Sequence, residues 1–204
     1  MAIVDGQSDS QGNTLGDILA AILGGVQKMT PDQIREAQIN QNLSGEERNA
    51  YEALRGIFEG YGLGSLAPKI LEYVQQGYGP DTITMLLQRT DEYKQRFAAN
   101  EARRKNGLPV LPPNEYLATE TSYRQLMRNA GLPEGFYDQP EDFTRFISSD
   151  ISPTELKTRV DAAVQATQFA DPALKQSLRQ LGVGDGGMTA WFLDPGRATS
   201  LIQK

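Results

Sequence analysis

Any chemistry in this chain must be done without thiols or imidazoles, because its 204 residues include no Cys and no His. Disulfides, thiolate zinc sites and Cys nucleophiles are excluded, and so are imidazole acids, bases and metal ligands. Carboxylates, Lys, Arg, Tyr, Ser and Thr are what is left. The most regular basic series is Arg89, Arg96 and Arg103, spaced by seven and followed by Arg104 and Lys105. A seven-residue repeat keeps side chains on one side of a helix, so the series forms a candidate stripe against phosphates or an acidic partner. Asp91, Glu92 and Glu101 are interleaved with it. Local ion pairing on a solvated face is therefore expected first. If the stripe meets anything outside the chain, a protein neighbour is favoured over DNA, because the formal net charge is −6.

Other candidate chemistry has plainer explanations. Glu46-Glu47, Asp91-Glu92 and Glu141-Asp142 each lie near an expected helix start or on a polar face, where the helix dipole or solvation accounts for them. A glycosidase-type acid pair needs two carboxylates from separate elements facing one cleft, an arrangement that spacing alone does not reveal. Gly60-Tyr61-Gly62-Leu63-Gly64 and the stretch from Gly182 to Gly187 are not followed by Lys-Ser/Thr and do not join a strand to a helix. They read as helix terminators, not phosphate cradles. Asp185-Gly186-Gly187 is too short for a calcium loop. No cofactor and no metal are expected, and the chain reads as a structural or interaction protein, not an enzyme. Trp191-Phe192, in Trp191-Phe192-Leu193-Asp194-Pro195, form an aromatic anchor. Core closure is its first expectation; docking to a neighbouring subunit is the alternative.

The elements that would position these residues are helices. Leu15, Ile18, Leu19, Ile22, Leu23 and Val26 make one apolar stripe on a helix expected from Leu15 to Gln27. Its other side carries Gly16, Ala20 and Gly24, small residues at a spacing that admits a close backbone neighbour. Two faces suited to packing point to contact with another chain or another element of an assembly; the alternative is an ordinary core helix, which covers the stripe but leaves the small-residue face unexplained. Thr30-Pro31-Asp32-Gln33 and Ser44-Gly45-Glu46-Glu47 read as helix starts. Behind the second, Tyr51, Leu54, Ile57 and Phe58 hold helical spacing, and Leu66, Ile70, Tyr73 and Val74 mark the next helix. The longest periodic run is Asp81 to about Lys105, with a stripe of Leu86, Thr90, Tyr93 and Phe97. Pro109, Pro112 and Pro113 stiffen an extended crossing, and Asn114 is the expected cap beyond it. Ser152-Pro153-Thr154-Glu155 and Asp171-Pro172 open later helices; Gly182 to Gly187 is expected as a flexible turn.

No alternating β-branched pattern appears. The expected fold is all-α: an irregular bundle of many short helices with Gly/Pro-rich joints. Its expected divisions are a flexible arm (1–13), an N-terminal helical region (14–80) and a C-terminal helical region (81–204). With 39% hydrophobic and 23% charged residues the chain is globular, not disordered. Met1-Ala2-Ile3-Val4-Asp5 has no basic n-region, so no secretory signal is expected. Leu15 to Val26 contains Asp17 and is shorter than the ~20 residues of a membrane span.

The run from Leu87 to Phe97, continuing through Asn100-Glu101-Ala102-Arg103-Arg104 and Gly107-Leu108-Pro109, resembles helical virion proteins of tailed bacteriophages. Gly131-Leu132-Pro133, Phe136-Tyr137-Asp138 and Trp191-Phe192-Leu193-Asp194-Pro195 share the likeness, which covers roughly residues 80–200. The resemblance implies a structural component near the tail or head–tail axis, present in several copies and without a cofactor. It would be made in the host cytoplasm and localised to the virion, with other virion proteins and copies of itself as partners. The alternative is a nucleic-acid-handling or packaging accessory protein that uses Arg89, Arg96, Arg103, Arg104 and Lys105.

Overall fold

The computed structural model describes residues 43–202. The expected arm, the 15–27 helix with both its faces and the Thr30 helix start lie outside the described residues. The described residues form eleven α-helices and two 3-10 turns, with no strand among them. The all-α expectation of many short helices is what the structure shows.

Local side-chain chemistry sets most of the helix ends. The first helix, α1 (Gly45–Gly60), starts with a reciprocal capping box. The Ser44 hydroxyl accepts the Glu47 amide at 3.3 Å, and the Glu47 carboxylate accepts the Ser44 amide at 2.8 Å. Two donors that the helix itself leaves unpaired are thereby satisfied. Tyr51, Leu54 and Phe58 are buried, whereas Ile57, expected on the same stripe, is exposed. A 3-10 turn (Gly64–Leu66) leads into α2 (Ala67–Gln75), which buries Ile70, Leu71 and Val74. Gly77, at φ +80°, makes the left-handed turn after it.

The long helix expected from Asp81 to Lys105 is three helices: α3 (Pro80–Leu87), α4 (Asp91–Arg96) and α5 (Ala98–Lys105). Thr90 makes the first joint. Its hydroxyl donates to the Leu87 carbonyl at 2.7 Å and accepts the Tyr93 amide at 3.3 Å, so it closes one helix and caps the next. Phe97, at φ −109° and ψ 37°, makes the second joint. Its ring meets Tyr116 edge-on at 5.1 Å and Tyr61 at 5.9 Å. The buried register is Ile83, Leu87, Phe97 and Ala99, and Leu86 and Tyr93 are only half-buried.

Beyond the proline crossing, α6 (Pro113–Asn129) starts at Pro113, not behind Asn114. Proline's fixed φ suits the first helical position, and the Pro112 carbonyl accepts the Tyr116 amide at 2.9 Å. The cap expected at Asn114 thus falls two residues earlier, at Pro112. A second 3-10 turn (Pro140–Phe143) leads to α7 (Thr144–Ser148) and then α8 (Pro153–Phe169). Ser152 caps α8 by accepting the Glu155 amide at 3.1 Å. The Glu155 side chain does not complete the box; it pairs with Arg159 at 2.7 Å. The last helices are α9 (Pro172–Gln180), α10 (Asp185–Leu193) and α11 (Pro195–Ile202). The main interhelical contacts join α2 to α3, α5 to α7, α6 to α8, α8 to α10 and α10 to α11; α9 takes part in none of them.

The chain divides into two compact units, residues 1–48 and 49–204. Of the first, only residues 43–48 are described. Pro80 and Asp81, at the boundary expected between the two helical regions, form the first turn of α3, which packs on α2.

A buried ion pair joins α4 to α6. Arg96 donates to both carboxylate oxygens of Glu120, at 2.8 and 2.6 Å, and its Nε donates to the Tyr61 carbonyl at 2.8 Å. Glu120 is only 2% exposed. Burial opposes the Arg96 charge, but the Glu120 hydrogen bonds and charge outweigh it and hold the guanidinium above its ordinary pKa. Removing one partner of a buried pair strands the other charge. Glu120→Ala is therefore expected to lower the unfolding free energy by about 3–5 kcal/mol in urea titrations. The apolar double replacement Arg96→Met/Glu120→Leu is expected to cost less than that single change.

Candidate partner-binding groove

The site that stands out is built by α8, α9, α10 and α11. Asp171 opens α9: its carboxylate accepts the Ala173 and Leu174 amides at 2.8 and 3.1 Å. Leu174, Leu178 and Leu181 then recur at i, i+4 and i+7 along one face. No residue of α9 is buried; on that face Leu174 and Leu181 stay exposed and Leu178 is half-buried.

The stretch expected as a flexible turn, Gly182 to Gly187, turns only as far as Gly184; Asp185 already starts α10. Close packing requires glycine inside this helix. A Cβ on Gly186 would sit 2.1 Å from the Gly131 carbonyl oxygen. Two contacts then fix α10 against its neighbours. Arg179 donates to both Asp185 oxygens at 2.9 and 3.1 Å, joining α9 to α10. The buried hydroxyls of Thr167 and Thr189 meet at 2.9 Å, joining α8 to α10.

Between these helices lies a groove of about 360 Å³. Its lining is almost wholly apolar and includes Leu174, Leu178, Val183, Met188, Trp191 and Phe192. That volume is in the range of small-ligand and side-chain pockets. Three of its lining residues are large apolar side chains that stay exposed: Leu174 at 50%, Trp191 at 46% and Phe192 at 38%. Phe169 at the end of α8 and Leu181 just after α9 are also exposed, at 86% and 79%. The Trp191 and Phe192 rings meet at 5.3 Å and 75°. Core closure, the first expectation for this pair, is therefore not its role: α10 turns Met188, Thr189 and Ala190 inward instead.

A polar network holds the C-terminal end of α10. The Tyr137 hydroxyl donates to Asp194 at 2.6 Å, Arg145 reaches the same carboxylate at 3.2 Å, and the Arg197 amide donates to its other oxygen at 3.1 Å. Arg197 in turn donates to Asp142 at 2.6 Å and lies 4.4 Å from the Tyr137 ring centroid. Burial, then the Asp194 carboxylate, pushes the Tyr137 hydroxyl up to about 12. Burial would raise the Asp194 pKa, but the bonds from Tyr137, Arg197 and Arg145 hold it below its ordinary value. Tyr137 adopts φ +64°, rare for a side chain of its size, so this network also anchors a strained loop residue.

The basic series does not form a stripe. Arg103 is buried: its Nε donates to the Pro109 carbonyl at 2.8 Å, and Nη1 donates to the Ile147 carbonyl at 2.8 Å and to Asp150 at 2.7 Å. Arg96 is held by Glu120 and the Tyr61 carbonyl. Both are corrections to their reading as partner contacts, and the cause is the two joints that break the long helix. Arg89 and Arg104 are exposed. Arg104 pairs with Glu101 beside a mixed-polarity cleft of about 370 Å³ next to the proline crossing. Of the carboxylate pairs, Asp91 is held locally by Lys94, whereas Glu92 meets Lys69 and Asp142 meets Arg197 from other elements. Leu15, Gly16, Ile18, Leu19, Ala20, Ile22, Leu23 and Gly24 lie outside the described residues. Sequence reasoning missed Glu120 and the exposure of Phe169, Leu174 and Leu181. The signal for Glu120 was a carboxylate four residues after Tyr116 and three before Tyr123, in the register of the buried face. Among the described residues no helix is long and apolar enough to cross a membrane.

Exposed apolar residues and the groove floor should respond differently to truncation. Phe169→Ser and Leu181→Ser are expected to change the stability of the isolated chain by no more than about 0.5 kcal/mol. Met188→Ala, in the floor, is expected to cost about 2–5 kcal/mol. Chemical denaturation of the three variants checks this. The Asp194 network should give an acid-dependent term. A depressed carboxyl pKa stabilises the fold fully above the unfolded value of about 3.9, and this is lost as pH falls through the lower folded value. Asp194→Asn is thus expected to be less stable at neutral pH and to lose less stability on acidification, as read by thermal melts across that range. No protein-family model matches the chain, and no curated protein or solved structure matches it.

Proposed function

We propose that this chain is a structural protein of a tailed-bacteriophage virion, placed near the tail or head–tail axis, that works by assembly contacts and not by catalysis. One observation carries the assembly part: the apolar groove of α9 and α10, whose lining residues Leu174, Trp191 and Phe192 stay exposed. Contiguous apolar surface of this kind is an aggregation liability unless something covers it. Trp and Phe beside a preformed pocket suit a partner that inserts side chains. The virion part is supported by the likeness of residues 80–200 to phage structural proteins. The described arginines fit assembly better than nucleic-acid handling, since Arg96 and Arg103 are engaged inside the fold and the chain is acidic.

The test is quantitative mass spectrometry on purified phage particles that encode the chain, with immunogold labelling. The expected outcome is a fixed, multiple copy number per particle and labelling at the tail or neck. Absence from washed particles, with the protein abundant in the infected cell, would sink the virion reading.

A further inference from the structure

We infer that Asn106-Gly107 is a site of spontaneous covalent modification, where the Asn106 side-chain amide is lost and the main chain becomes isoaspartyl, and that this change unseats the clamp around Arg103. The site lies outside the groove and does not depend on the assembly reading.

The chemistry starts from the residue pair, which is the one Asn-Gly step in the chain. The Gly107 amide nitrogen attacks the side-chain carbonyl carbon of Asn106. A nitrogen–carbon bond forms, the side-chain carbon–nitrogen bond breaks, and ammonia leaves with the proton that the Gly107 amide gives up. Water then opens the resulting imide ring. Opening on the side-chain side leaves aspartate. Opening on the main-chain side leaves isoaspartate, whose backbone runs through the former side-chain methylene. Nothing is oxidised or reduced, and water is the only co-reactant. Glycine favours the attack because it has no Cβ to crowd the nitrogen.

The structure leaves this pair accessible. Both residues are exposed, in the turn that closes α5. No atom lies within 4 Å of where a Gly107 Cβ would stand. The other described asparagines differ. Asn100 is tied through both ends of its amide to the Leu111 main chain, at 2.9 and 3.0 Å. Asn49, Asn114 and Asn129 are followed by Ala, Glu and Ala.

The turn also sets the rate. Asn106 has ψ 5°, which eclipses the Gly107 nitrogen with the Asn106 nitrogen and keeps it away from Cβ. Ring closure needs it on the Cβ side, so ψ must rotate. That rotation breaks the bond from the Gly107 amide to the Arg104 carbonyl at 3.2 Å and the bond from the Leu108 amide to the Arg103 carbonyl at 2.8 Å. An exposed helix end opens locally far more readily than the core does.

The consequence follows from what is fastened across the site. Arg103 is buried before it, and its Nε donates to the Pro109 carbonyl beyond it at 2.8 Å. An extra main-chain methylene between Asn106 and Gly107 shifts Pro109 relative to α5. The buried guanidinium then loses an acceptor, and a buried charge short of a partner destabilises the fold.

Ageing the purified full chain at mildly alkaline pH, where the attacking nitrogen loses its proton more readily, tests this. Peptide mapping by mass spectrometry, with methylation by an isoaspartate-specific methyltransferase, is expected to find Asn106 reacting fastest of the asparagines. The native chain should react at least about fivefold more slowly than the same chain in urea, which is the effect of one or two hydrogen bonds that must open. The aged chain should melt at a lower temperature than the fresh one. Asn106→Gln, whose longer side chain closes the ring far more slowly, should stay unmodified at that position and keep its melting temperature. Fresh Asn106→Asp carries the new charge on an unaltered main chain and should melt close to the fresh parent. An Asn106 that stays unmodified in the native chain, or reacts there as fast as in urea, overturns the inference. So does an aged Asn106→Gln that loses as much melting temperature as the aged parent, or a fresh Asn106→Asp that melts as low as the aged parent.

Discussion

A charge taken out of water must be fully partnered, and that constraint organises the described structure. Arg96 and Arg103 are both withdrawn from solvent, and each is surrounded by acceptors from distant parts of the chain. Arg96 gathers the turn after α1, through the Tyr61 carbonyl, and α6, through Glu120. Arg103 gathers the proline crossing, the end of α7 and Asp150. Hydrophobic contact alone is non-directional. A bidentate guanidinium–carboxylate pair accepts only a narrow geometry, so it fixes how the aromatic rings of Phe97 and Tyr116 register against each other. The arginines also sit close to those rings: Arg96 lies 5.4 Å from the Phe97 centroid and 5.9 Å from that of Tyr116.

The C-terminal helices are built on the opposite balance. There the carboxylates Asp171, Asp185 and Asp194 are partnered while several large apolar side chains stay exposed, although the Arg197 Nε is buried without a hydrogen-bond partner. Asp171, Arg179, Asp185 and Asp194 all find partners within the stretch or on the loop beside it. These contacts hold α9 and α10 in place although α9 buries no residue of its own. A helix held by its caps and one ion pair, with Leu174 exposed and Leu178 only half-buried, leaves much of its apolar face uncovered. The same economy appears at Gly186, where the missing Cβ lets α10 approach the Gly131 carbonyl and frees the other side of the helix to carry Trp191 and Phe192.

Much of the local structure was legible from residue types. Ser44, Ser152 and Asp171 cap helices as their side-chain oxygens predict. The buried faces of α1, α6 and α8 follow helical spacing. The candidate site was half legible. Trp191-Phe192 stood out by composition, but which of core or surface it joined did not, because both uses require the same residues. The exposure of Phe169 and Leu181 gave no signal, since an apolar residue at helical spacing is normally core.

By itself, the sequence determined the helical class, the caps and most of the joints, because these depend on neighbours three or four residues apart. It also determined the chemistry that is missing, since a chain without Cys or His has no thiol or imidazole to use. Only the tertiary structure decided where the long periodic run breaks, which arginines turn inward and which apolar face stays uncovered. Thr90 can sit within a helix or cap one, and its hydroxyl caps where Phe97 and Arg96 are pulled toward partners tens of residues away. Whether Leu174 is core or rim depends on whether another element lies over it, and that is a property of the assembled fold, not of spacing along the chain.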